Sequence, residues 1–144
     1  MKQIIINLLN PGDYDKKLNA VLFVLRIAVG ALMLTHGIGK FSALFDSEPI
    51  QFPDPIGIGA AASLALTVFA EVFCSIFLIV GVGTRFAAIS LLITMLVAAL
   101  IFHANDPFGK QELPLLYVCI YMVIAVAGAG KISIDNWLHT KIST

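Results

Sequence analysis

The chain has 144 residues, 59% of them hydrophobic and 12% charged, with nine basic and nine acidic side chains and a formal net charge of zero. A mean hydropathy of +0.95 and a charged content well under the roughly 25% usual in soluble proteins exclude an ordinary soluble domain. Its scattered cations make no electrostatic footprint for nucleic acid, which leaves a single integral membrane domain whose first partner is the lipid bilayer.

Residues 1–17 read as a cytoplasmic tail that suits the membrane surface. The stretch IIINLL is short, Pro11 and Gly12 break it, and Asp13 and Asp15 stand where a signal cleavage site would be, so an uncleaved anchor is expected to follow. Four apolar runs then reach or approach spanning length, over about 18–37, 58–80, 86–104 and 113–129. Pro114 suits the first turn of the fourth, and Gly81, Gly83, Gly128 and Gly130 mark helix ends. Short links make consecutive helices antiparallel neighbours. The predicted fold is all-α, an up-down-up-down transmembrane four-helix bundle over residues 18–130, followed by a cytoplasmic tail at 131–144 with a short interfacial helix.

Lys2, Lys16, Lys17, Arg85, Lys131 and Lys141 fall in the tails and the GVGTR turn, whereas the other two loops hold only Lys40 and Lys110. The positive-inside rule then places both termini in the cytoplasm. The first outer loop, IGKFSALFDSEPIQFPDPIG, is too apolar for a solvated linker and too rich in proline for a full helix. It is expected to fold over the outer mouth as a partly ordered cap, with FSALF as a short interfacial helix, or else to lie at the headgroup level. The small residues that open the second span, from Gly57 through Ala65, suit a close helix interface. Cys74 and Cys119 lie in apolar runs without a CxxC and read as small hydrophobes.

Two charges stand inside spans. Arg26 lies eight residues after Leu18, and Glu71 ten before Gly81, which puts them at depths of ~12 Å and ~15 Å on adjacent helices. The reading is an Arg26–Glu71 pair, direct or through a neighbouring Tyr or Thr. It serves either as a pin for helix register or as a polar platform for a ligand or proton. On the fourth span Tyr117 and Tyr121 share a face, as Ser90 and Thr94 do on the third; both faces should turn inward, and the two tyrosines are candidate ligand-binding residues.

A second cluster gathers at the outer end, where His36, Lys40, His103 and Glu112 fall at one level. No HxxxH or ExxH spacing supports a metal or haem, so no metal site is expected. Hydrogen-bond donors for a quinone-like carbonyl or an anionic headgroup fit this chemistry, with solvated interfacial side chains as the plain alternative. At the other end Arg85 and Asp135 suit a structural latch. Asp135 also suits an N-cap for the terminal helix that Trp137 anchors.

These residues resemble the DoxX family of small four-helix membrane proteins. The likeness rests on LRIAVGALMLTHGIGKF with Arg26, His36 and Lys40, on AEVFCSIFLIVGVGTRFAA with Glu71 and Arg85, on His103, and on GAGKISID with Asp135. It implies a bacterial inner-membrane protein related to the DoxX and DoxD subunits of thiosulfate:quinone oxidoreductase, a group associated in some bacteria with redox defence. It carries no catalytic role to any residue, and no cofactor motif is present. The expected function is a membrane component of a quinone-linked redox system, with a lipid-soluble ligand such as quinone bound at the outer end beside a soluble or membrane oxidoreductase subunit. The alternatives are a non-enzymatic scaffold that docks a partner or a second copy, and an oligomeric transporter or channel.

Overall fold

A computed structural model describes residues 2–45 and 49–143. Among them every regular element is helical, and no strand occurs. Helix α1 covers Lys2–Leu9, α2 Lys16–Ala43, α3 Ala60–Val80, α4 Thr84–Phe102, α5 Phe108–Ala127 and α6 Ile134–Ser143. Helices α2 to α5 are each long and apolar enough to cross a membrane.

Helix α2 opens where Asp15 accepts the amide of Leu18 at 2.9 Å, an N-cap that satisfies one of the free donors of the first turn. Its 28 residues make it about 42 Å long, about 12 Å more than a hydrocarbon core. It therefore runs on through Phe41–Ala43, and FSALF is the last three residues of α2 and the turn that follows rather than a separate helix. One stripe is buried, through Asn19, Leu22, Arg26, Val29, Met33 and Gly37, while Val21, Val24, Leu32 and Ile38 face outward. Apolar side chains on the outer face as well as the inner are what a helix surrounded by lipid requires.

Helix α3 begins two residues later than the sequence suggested. The Asp54 carboxylate holds its entry, accepting the amides of Ile58 and Gly59 at 3.0 and 2.7 Å and the Ser63 hydroxyl at 2.7 Å. Midway the helix widens to a π-helical stretch over Phe69–Cys74, and α4 does the same over Ala98–Phe102, where His103 N bonds Ala98 O at 2.9 Å. Gly81, at φ 72°, ends α3 as its amide and that of Val82 both return to Phe77 O. Helix α5 starts five residues before the predicted span, because its first turn is polar although helical. Pro114 thus lies inside the helix rather than at its start, at the cost of one backbone hydrogen bond.

Paired contacts show how neighbours run. Gly30 of α2 meets Ser75 and Ile79, and Gly37 meets Glu71 and Val72, so α2 and α3 are antiparallel. The Gly81–Gly83 turn reverses α3 into α4, whose Arg85 reaches Ala125 and Val126 at the far end of α5. The core between them holds Val29, Met33, Cys74, Leu78, Leu91, Met95, Tyr117, Tyr121 and Ile124. Cys119 faces outward on α5.

The small residues predicted as an interface are divided: Ser63 is buried, whereas Ala61, Ala62 and Ala65 are exposed. Close approach of α2 and α3 is made by Gly30 and Gly37. A methyl group at Gly37 would stand 3.0 Å from Glu71 Cβ and 2.7 Å from Val72 Cγ2. Gly37→Leu should accordingly destabilise the protein by about 1–3 kcal/mol through overpacking, while Ala61→Leu should leave the thermal midpoint in detergent unchanged. Equal effects of the two substitutions would contradict this packing.

Candidate functional site

Charged side chains gather at the two ends of the helices and do different work there. At the end that carries both termini, Arg26 is fully buried and donates to Leu78 O at 2.9 Å and Ile132 O at 2.6 Å. Arg85 donates to Ala125 O and Val126 O at 2.6 and 2.7 Å, and Asp135, 1% exposed, accepts the amides of Gly83 and Thr84 at 2.7 and 2.9 Å. Cations thus sit at the C-terminal ends of α3 and α5 and an anion at the N-terminal end of α4. Free carbonyls and amides require this arrangement, and the helix dipoles favour it. Asn19 extends the network, donating to Tyr14 O and Asp15 O and accepting the Lys131 amide at 2.6 Å.

The expected Arg85–Asp135 latch is not a direct pair; each caps a different helix. Nor does Arg26 meet Glu71. The depth estimate set Leu18 level with Gly81, whereas Arg26 itself lies against Gly81. Nearly three turns of α2 run past the end of α3, where Asn19 and Leu22 flank Gly130.

At the opposite end Glu71, with a side chain 4% exposed, takes Lys40 as its partner, and Lys40 Nζ reaches both carboxylate oxygens at 2.6 and 2.7 Å. Helical side chains lean toward the helix N-terminus, so Lys40 covers the turn below its own, beside Gly37, where the α3 backbone comes closest. Glu71 stands in the π-helical stretch of α3, and His103 follows that of α4. Such wide turns are frequent at functional sites.

Two cavities adjoin the pair. One of about 420 Å³ lies among Phe52, Pro55, Ile56, Leu66, Ile93 and Phe102, with Lys40, Glu71 and His103 at its polar side. The other, about 310 Å³, is lined by His36, Lys40, Glu71, His103, Lys110 and Tyr117 among others. The segment after residue 48 therefore covers the α3–α4 side; residues 46–48 of the expected cap lie outside the described residues.

Of the predicted outer cluster, His36, Lys40 and His103 come together, joined by Glu71, while Glu112 is exposed and lines neither cavity. Tyr117 lines the smaller cavity, its ring edge-on to His36 at 6.3 Å and stacked on Tyr121 at 5.7 Å. Tyr121 is buried deeper, and its hydroxyl has no partner among the described residues. Ser90 and Thr94 bond carbonyls one turn back on their own helix.

Asp106 and Asp54 were not anticipated. Asp106 accepts from His103 Nδ1 at 2.7 Å, and that bond, with Lys110 adding to it, holds its carboxyl below the usual carboxylate range. Asp54 is likewise lowered, chiefly by the Ser63 hydroxyl and then by the Gly59 amide. Their signals were present: Asp106 lies three residues from His103, and Asp54 precedes the first turn of α3. Among the described residues no three His, Cys, Asp or Glu side chains gather in a way that could hold a metal ion.

These features define a small membrane protein with four candidate spans, a capped terminal end and a charged pair between two cavities at the other. A sequence model of DoxX matches residues 21–104, and the chain belongs to the DoxX family. It is also similar to two uncharacterized proteins of Haemophilus influenzae. One is 32% identical over 130 residues, covering 85% of this chain and 86% of the relative. The second is 32% identical over 131 residues, with 83% and 92% covered. No solved structure matches the chain.

Removing Lys40 strands a buried carboxylate, so Lys40→Met should lower stability by about 1–3 kcal/mol. Adding Glu71→Gln should recover about half of that loss or more, which a double-mutant cycle in detergent would measure. The lowered Asp54 carboxyl stabilises the entry of α3 above the ordinary carboxylate range and loses that effect as pH falls through its lowered value. Asp54→Asn should accordingly depress the thermal midpoint near neutral pH, and its difference from the parent should shrink in acid.

Proposed function

We propose that the protein is an inner-membrane component of a quinone-linked redox system, with a lipid-soluble ligand bound at the Lys40–Glu71 end. The observation that carries this reading is the larger cavity, whose apolar wall ends in Lys40, Glu71 and His103. Its size falls in the range of small-ligand sites, which are mostly apolar with a few placed polar groups. A quinone ring has carbonyl oxygens that accept hydrogen bonds at one end and an apolar tail at the other. Lys40 supplies donors, and His103, tied at Nδ1 to Asp106, keeps its second ring nitrogen for the ligand. A soluble or membrane oxidoreductase subunit is the partner this reading implies, since a quinone exchanges electrons with a second redox centre.

In this reading the four spans form an up-down-up-down bundle with both termini in the cytoplasm, supported by the basic residues of the tails and of the Gly81–Arg85 turn. The ligand end then faces outward.

Solvent extraction of protein purified from its own membranes should release quinone. His103→Leu should weaken binding of a short-chain ubiquinone analogue about tenfold, the loss of one good hydrogen bond, and Glu112→Ala should leave it unchanged. Protein free of quinone, or equal loss in both variants, would sink the proposal. In sealed cells, Ser42→Cys should react with an impermeant thiol reagent and Thr140→Cys should not; the reverse would invert the orientation.

A further inference from the structure

The two cavities share Lys40, Glu71, Ala98 and His103, so these four residues form the wall between them. Their rims differ in chemistry. The larger cavity is bounded by Ile56, Leu66, Ile93 and Phe102, each about half exposed, with Leu66 and Ile93 at 55%. Leu66, Ile93 and Phe102 belong to candidate membrane spans, so in a bilayer this rim meets acyl chains. The smaller cavity is bounded by His36, Gly109 and Lys110, all exposed, near the turn that joins α4 to α5. That rim meets headgroups and water.

A polar solute crossing the wall would have to separate two charges held at 2.6 and 2.7 Å around a carboxylate that is almost fully buried. Separating them leaves Glu71 uncompensated in an apolar setting, which is costly. An amphiphile, by contrast, needs only to lie in the larger cavity with its head against the wall. Lys40 is one-third exposed, and its ammonium has three donors of which Glu71 takes two, so the third can meet a ligand head while the pair stays closed.

We propose that the two cavities are chambers of one site: a lipid-side chamber that admits an amphiphile from the membrane, and a water-side chamber that reaches its head group, parted by the Lys40–Glu71 bridge and His103. Only the identity of the amphiphile rests on the quinone reading; the division into chambers does not.

The test adds cysteines one at a time to a Cys119→Ala background, in which only the buried Cys74 remains, in nanodiscs, where both membrane faces meet water; the background itself gives the rate to subtract. Thr67→Cys reports the lipid-side chamber and Leu113→Cys the water-side one, with Thr94→Cys and Gly109→Cys as second positions should either fold poorly. A sulfonated methanethiosulfonate reagent should modify the water-side cysteine at least about tenfold faster than the lipid-side one, a barrier difference of about 1.4 kcal/mol. N-ethylmaleimide should modify both. Combining Lys40→Ala and Glu71→Gln with Thr67→Cys should let the sulfonated reagent in about tenfold faster.

Equal reaction at the two positions with the pair intact would overturn the proposal, as would no change when the pair is removed. A short-chain ubiquinone analogue should slow maleimide reaction at Thr67→Cys and leave Leu113→Cys unaffected. If the chambers react as expected but the analogue protects neither position, the two-chamber site stands and the quinone reading fails.

Discussion

The contact of Arg26 with the Leu78 and Ile132 carbonyls sets the register on which the rest of the structure depends. It places α2 so that Gly30 and Gly37 meet α3, and that register brings Lys40 to Glu71. A buried guanidinium is tolerated here because it answers carbonyls that neither lipid nor a continuing helix would satisfy. The same demand explains why Arg85 reaches a carbonyl at the end of α5 and Asp135 the amides at the start of α4. Ionised side chains at this end thus complete the backbone, and their charge follows the helix polarity they face.

At the other end the same kind of residue does something different. Lys40 and Glu71 satisfy each other, cap no helix end, and border open volume on two sides. The π-helical stretches of α3 and α4 lie at this level, where a wider turn sets a side chain off the regular helical face. Irregular backbone within a span is accepted where protein or a cavity, rather than lipid, surrounds it. Closure at the terminal end and cavities at the opposite end are compatible because α2, the longest helix described, supplies Arg26 to the first and Lys40 to the second.

Much of the fold was legible in the chain. Runs of apolar residues specify spans because a bilayer admits only helices or closed barrels, and Gly81 and Gly83 specify the tight turn because each takes a positive φ. The site was legible in composition but not in pairing. His36, Lys40 and His103 were identified, whereas Glu71 was assigned to Arg26 on depths counted from the ends of apolar runs. Those ends mark where lipid contact stops, and a helix does not stop there: α2 continues into Ala43, and α5 begins at Phe108 in polar sequence.

Sequence by itself determined that this is a helical membrane protein of the DoxX family, with a few ionisable groups held within or beside its spans, since hydropathy and helix length are local properties of the chain. Tertiary structure decided which of those groups meet. Pairing depends on how far one helix slides along another, and that shift is set by glycine contacts and by the free carbonyls and amides of distant helix ends. Neither leaves a mark in the spacing of residues along a single run.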